Sequence, residues 1–156
     1  MTTNTATYIR TASGEVHALP FKPYMRAGDE IISKAEFNRA RPAYCRAELL
    51  NLIAPGTTVY TQLRHTSASG MQRRISLHVV HEGRIRCIDT LAADLMGDKT
   101  HKDGGIVVNG CGMDMGFHLV YCLGAALWPE GTPEPHGQRD GAPDSDGGYA
   151  LRHEWL

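Results

Sequence analysis

Two neighbouring stretches alternate apolar and polar residues with a period of two. Over residues 57–65, Val59, Thr61, Leu63 and His65 share one face; over 71–80, Met71, Arg73, Ile75, Leu77 and Val79 share one. Successive strand side chains point to opposite sides, so each stretch predicts a β-strand with one buried face. The run Thr66-Ser67-Ala68-Ser69-Gly70 between them reads as a hairpin loop. Pairing about Ala68 sets His65 opposite Met71 and Leu63 opposite Arg73. That register places a histidine and an arginine on the core-side face near the loop.

The period then lengthens and shortens along the chain. Ser33 followed by Glu36 is a capping box that opens a helix. Pro42 should end or kink that helix and open another over 43–53, which stops at Ala54-Pro55-Gly56. After a tight turn at His81-Glu82-Gly83, the pattern predicts a short strand over 84–89 and a short helix over 90–96 closed by Gly97. A polar loop over 98–104 leads to a short strand over 105–109. The strongest helix follows over 113–128, with Phe117, Val120, Tyr121, Leu123 and Leu127 as its buried stripe. Residues 129–148 are rich in proline and glycine and read as a mobile loop, and 148–156 as an edge strand. Residues 1–30 are mixed and irregular, with a short hairpin around Ser13-Gly14 as the one element the pattern offers. The expectation is an α+β protein: an antiparallel sheet of three or four strands, with the Ala43 and Met113 helices packed on one face. At 156 residues, it reads as a single domain.

Composition narrows the classes of function. Apolar residues make up 42% of the chain, enough for a core, and the net charge of -1 gives no global case for nucleic acid or an anionic membrane. No apolar run approaches the roughly 18 residues that span a bilayer. The opening MTTNTATYIR is not a secretory leader, so the cytoplasm is the expected compartment. No two of Cys45, Cys87, Cys111 and Cys122 have zinc-ribbon spacing, and a cytosolic domain has little use for disulfides.

Candidate chemistry concentrates in two segments, 64–74 and 109–118. In the second, a strand ends at Asn109, a turn holds Cys111 between glycines, and a helix begins. A helix start stabilises a thiolate, so Cys111 is a candidate nucleophile. Asp114 and His118 are four apart and can touch on one helix face. His118 or His65 would be the base, Asp114 the orienting acid, and Asn109 or a backbone N–H the oxyanion donor. In the first segment, Arg64, Arg73, Arg74 and the hydroxyls of Ser67 and Ser69 suit a phosphate or carboxylate. Each residue also has a plain structural reading: Cys111 as a small core residue, Asp114 as a first-turn acid, His118 as a boundary histidine, and the arginines as a solvated hairpin tip. No cofactor motif is present. No spacing demands zinc from Cys111, His118 and His65, and residues 140–146 lack the ligand spacing of a calcium loop.

The motifs RHTSASGMQRRISL (64–77) and GCGMDMGFHLVY (110–121), with the closing GGYALRHEWL, resemble a group of small proteins found in phage and prophage genomes. The resemblance implies an accessory protein working in the bacterial host cytoplasm, where such proteins modify or block host systems, including defence. The order of a strand histidine followed by a helix-start cysteine is also similar to circularly permuted papain-like hydrolases, without their local signature. Three functions follow as expectations: binding of a phosphate-bearing, nucleotide-like small molecule; a cysteine-dependent hydrolase or transferase built on Cys111; and a protein–protein inhibitor of a host defence complex. The binder is favoured, by the arginine-hydroxyl loop.

Overall fold

A computed structural model describes residues 6–21, 24–110, 115–131, 134–138 and 147–152. They form nine strands and three helices, in two compact units spanning 1–45 and 46–156.

In the first unit, β1 (Thr7–Arg10), β2 (Val16–Leu19) and β3 (Glu30–Ile32) make an antiparallel sheet in the order β2-β1-β3. The described residues between 7 and 32 are thus more regular than their composition suggests. The β1–β2 hairpin turns where Gly14 takes φ 90° and donates its N–H to the Thr11 carbonyl at 3.0 Å. Ile9, Val16 and Ile32 form the buried side. Helix α1 (Lys34–Leu52) starts where Ser33 Oγ accepts the Glu36 N–H at 3.1 Å, one half of the expected capping box. The other half is replaced: the Glu36 carboxylate takes the Arg10 guanidinium at 2.7 Å, and Glu30 takes its other arm. These two carboxylates raise the Arg10 pKa above its ordinary value.

The break expected at Pro42 does not occur, because α1 runs through it. Proline deprives the Asn38 carbonyl of its helical partner, at a cost of about 3 kcal/mol. The turns that follow bury Leu49 and Ile53, and burial of each such side chain contributes roughly 1.5–3 kcal/mol. Apolar burial past the proline offsets the lost bond.

The second unit holds a six-stranded sheet, larger than the three or four strands expected. Its order is β6-β5-β4-β9-β8, with β7 also beside β5. The strands are β4 (Thr58–Thr66), β5 (Gln72–His81), β6 (Arg84–Cys87), β7 (Ile106–Asn109), β8 (Glu134–Gln138) and β9 (Gly147–Arg152). The extra strand, β8, falls within the stretch read as a loop, and β9, expected at an edge, lies between β4 and β8. Gly148 makes that position available, since a Cβ there would lie 2.7 Å from Thr58 Cγ2 and 3.2 Å from the Tyr60 ring.

The core lies on one face of this sheet. Val59, Ile75, Leu77, Val79, Ile106, Tyr149 and Leu151 meet Leu49 and Ile53 of the first helix and its end, Ala92 and Ala93 of α2 (Asp89–Met96), and Leu119, Val120, Leu123 and Leu127 of α3 (Met115–Leu127). Helix α2 closes with Gly97 at φ 78°, the left-handed cap expected there. The buried stripe of α3 is rotated from its expected position. Phe117 and Tyr121 remain 37% and 43% exposed, while Met115, Leu119 and the small Gly116 and Gly124 face inward. Among the described residues, no helix is long and apolar enough to cross a membrane.

Strand β5 is longer than either of its neighbours on one side. There it pairs with β7 over Gln72 to Ile75 and with β6 over His78 to His81. Ser76 and Leu77 fall in the gap, and Asp89 fills it. The Leu77 N–H donates to Asp89 Oδ1 at 2.6 Å, Ser76 Oγ donates to Asp89 Oδ2 at 2.9 Å, and the Ile88 N–H donates to the Leu77 carbonyl at 2.9 Å. All three residues Ser76, Leu77 and Asp89 are buried. A buried carboxylate thus stands in for the missing strand partner.

Candidate functional site

The hairpin that carries the first segment differs from the expected register. Val59 pairs with Val79 and Leu63 with Ile75; then one residue, Arg64, is extra, so that His65 lies opposite Arg74 and Thr66 opposite Arg73. The bulge corrects the placement of His65: it is exposed, across from Arg74, rather than on the core face opposite Met71. This register sets the buried Val59 and Thr61 against the buried Val79 and Leu77, and on the other side of β5 it leaves the buried Ile75 paired with the buried Ile106. It also re-aims the bulged Arg64 side chain.

The loop is closed by its own hydroxyls. The Ser67 N–H donates to the Gln72 carbonyl at 2.8 Å, and the Gln72 N–H donates to Ser67 Oγ at 3.1 Å. Ser67 Oγ and Ser69 Oγ are 3.2 Å apart, and Gly70 turns the chain at φ 73°. Both hydroxyls therefore already serve the turn, while remaining near the surface.

Strand β7 brings the second segment alongside the first. Gln72 pairs with Asn109, and Gln72 Nε2 donates to Asn109 Oδ1 at 3.2 Å. The Gly110 N–H donates to the Met71 carbonyl at 2.8 Å, and Arg73 Nη1 donates to the Gly110 carbonyl at 3.4 Å. The two segments singled out in the sequence are thus neighbours, distant in the chain but adjacent in the sheet. Cys111 and Asp114 lie outside the described residues. His118 is exposed on α3, with Nε2 3.6 Å from Cys122 Sγ. Burial pushes the Cys122 thiol up, and Asp98 adds to this, so that thiol is not an activated nucleophile.

Arg64 and Arg74 converge on one turn. Arg74 Nη1 donates to the Gly104 carbonyl and to His101 Nδ1, each at 3.2 Å. The Arg64 guanidinium lies over the same glycine: a Cβ on Gly104 would be 4.0 Å from Arg64 Cζ and Nε. Arg64 Nε donates to Ser76 Oγ at 3.0 Å, and Ser76 donates onward to Asp89, so a buried relay holds the base of the fork. The Asp103 N–H also donates to His101 Nδ1, at 3.0 Å. A nitrogen that accepts from both a guanidinium and an amide carries no proton itself. His101 Nδ1 is therefore the acceptor on which the Arg74 guanidinium and the Asp103 amide meet. Gly105, at φ 91°, presses the turn against β5; a Cβ there would be 3.1 Å from Arg74 Cβ and 3.2 Å from the Ile75 nitrogen.

Among the described residues, Arg64, Arg73 and Arg74 form no ion pair with a carboxylate. Asp103, within the turn, has Oδ2 3.7 Å from His101 Nδ1. Cys87 lies across from His78 beside this cluster. The residue is exposed as a whole, but partial burial of its sulfur pushes the thiol up; the Asp89 backbone N–H and the Arg64 charge oppose that push, and the Asp89 carboxylate reinforces it. Among the described residues no group of three acids, histidines or cysteines is placed to hold a metal ion.

Sequence reasoning found the arginines but missed Ser76, Asp89, His101 and Gly104. The alternation of β5 does place Ser76 on the same face as Arg74, and Asp89 has the acidic character of a helix start. His101 lies in the stretch expected to be a polar loop, and it is recruited by a pairing between chain segments that no local pattern encodes. No family model matches the chain, and neither does any curated protein or solved structure.

Proposed function

We propose that this chain is a phage-type accessory protein that binds a phosphate-bearing, nucleotide-like small molecule in the bacterial host cytoplasm, and so counters a host system. The observation that carries the reading is the convergence of Arg64 and Arg74 on the Gly104 turn, with no carboxylate paired to either among the described residues. Two cations gathered at one turn repel each other, and a bound anion reverses the sign of that interaction. Guanidinium forks match phosphate oxygens two at a time. His101, bonded to Arg74 through Nδ1, borders the same turn; of the carboxylates nearby, Asp103 stands beside His101, and Asp89 is buried behind the Ser76 hydroxyl. The exposed Gln72–Asn109 amide pair lies on the same face two residues along β5, where the rest of a nucleotide-like ligand would extend, while the alternation turns Arg73 to the other face, against the Gly110 carbonyl. Cys87 and Cys122 give no support to a cysteine-dependent reaction, because burial raises both thiols.

The test is a calorimetric titration with pyrophosphate. Arg64→Ala and Arg74→Ala should each weaken binding at least tenfold, since a hydrogen bond to a charged group contributes about 1.5–3 kcal/mol. Arg84→Ala, on a different strand, should leave it unchanged. Equal affinity in all four proteins, or no binding by the parent, would overturn the reading.

A further inference from the structure

A separate feature lies at the outer edge of the large sheet. We propose that β6 is a docking edge that accepts an extended segment of a partner protein in which acidic and apolar residues alternate. β6 ends the strand order, and all four of its residues are exposed. The turn before it is fixed, with Glu82 at φ 51° and Gly83 at φ 74°, the positive pair of a two-residue hairpin that matches strand twist. In such a hairpin the pair flanking the turn, His81 and Arg84, is hydrogen-bonded, and bonded and non-bonded pairs alternate from there. The backbone N–H and C=O groups of Ile85 and Cys87 therefore point away from β5. No backbone bond from the described residues meets them.

The neighbouring edge differs. The outer side of β7 is already covered, since the Val107 N–H donates to the Lys99 carbonyl at 2.8 Å and the His101 N–H donates to the Gly105 carbonyl at 2.9 Å. Among the described residues on this side of β5, β6 therefore presents the longer uncovered row of donors and acceptors.

The side chains define the occupant. Ile85 and its cross-strand neighbour Val80 are 73% and 49% exposed and make an apolar strip on one face. Arg84 and Arg86 project from the other face, and both are exposed. A strand added here meets arginines at every second position and apolar surface at the positions between. Opposite charges across a strand pair stabilise it, and like charges destabilise it. A second copy of β6 would bring arginine against arginine, so the edge rejects itself and selects an acidic partner.

The test uses a blocked hexapeptide of alternating Glu and Val, with a Lys and Val counterpart as control, and amide hydrogen exchange of the full chain followed by NMR. The Glu peptide should slow exchange at Ile85 and Cys87 roughly tenfold, and the Lys peptide should not. Ile85→Pro removes an outward N–H and leaves the β5 ladder intact, so it should abolish protection at Cys87 while the other amide resonances keep their positions. Arg84→Glu combined with Arg86→Glu should transfer the preference to the Lys peptide. Three outcomes would overturn the proposal: no protection by saturating Glu peptide, equal protection by both peptides, or protection without peptide that rises with protein concentration, which would make the occupant a second copy.

Discussion

Replacing Asp89 by alanine should destabilise the protein more than any other single polar change in the large sheet. Asp89 accepts the Leu77 N–H at 2.6 Å and the Ser76 hydroxyl at 2.9 Å, in the gap where β5 has neither β6 nor β7 beside it. Alanine leaves the Leu77 N–H buried without an acceptor, at a cost of about 1–3 kcal/mol, and the Ser76 hydroxyl bond adds about 1 kcal/mol. The sum is about 2–4 kcal/mol, a large share of the roughly 5–15 kcal/mol that holds a typical domain folded. Asparagine keeps an oxygen for Leu77 but cannot accept from Ser76 with its nitrogen, so Asp89→Asn should cost only about 1 kcal/mol. Urea unfolding followed by circular dichroism measures both, with an unchanged denaturant slope confirming that the difference lies in stability. In thermal unfolding the alanine variant should melt about 5–15 °C lower, from about 2–4 °C per kcal/mol for a chain of this size. A loss under about 0.5 kcal/mol for alanine, or equal losses for alanine and asparagine, would refute the view that this carboxylate substitutes for a strand.

Two further outcomes follow from the site. Because burial raises the Cys87 and Cys122 thiols, each holds less thiolate at pH 7 than an ordinary cysteine; peptide mapping after brief iodoacetamide treatment should find both labelled more slowly than the thiol of N-acetylcysteine, and faster labelling of either would contradict this. Gly105→Ala combines a left-handed backbone at φ 91° with a Cβ 3.1 Å from Arg74 Cβ, so it should cost about 1–3 kcal/mol in stability and weaken pyrophosphate binding by displacing Arg74, whereas an unaltered melting temperature would contradict the close packing of the turn.

Much of the second unit was legible because its signals are local. The β4–β5 hairpin, the α2 stop at Gly97 and the strand before Asn109 each follow from a short-range period or a turn residue. What escaped depends on partners remote in sequence. The bulge at Arg64 belongs to a register in which β5 pairs with β4 on one side and buries Ile75 against Ile106 of β7 on the other, and β7 is some thirty residues away. Pro42 marks a helix end by local rules, but the buried Leu49 and Ile53 beyond it keep α1 continuous. The place of β9 inside the sheet rests on one close approach at Gly148. For the candidate site, residue types and the two chain segments were visible, and their adjacency through the Gln72–Asn109 pairing agrees with treating them together. What local pattern misplaced was His65 in the sheet, expected on the core face opposite Met71. Its bulged strand exposes it, and His101 meets Arg74 instead.

The central claim is that the arginine cluster holds a phosphate-bearing small molecule. It is tested most directly by native mass spectrometry of the chain purified from bacterial cytoplasm at low salt, set against its denatured mass. The predicted result is a native excess of a few hundred daltons that disappears on denaturation and is absent from the Arg64→Ala, Arg74→Ala double variant. An identical native and denatured mass, or an excess that the double variant retains, would contradict the account.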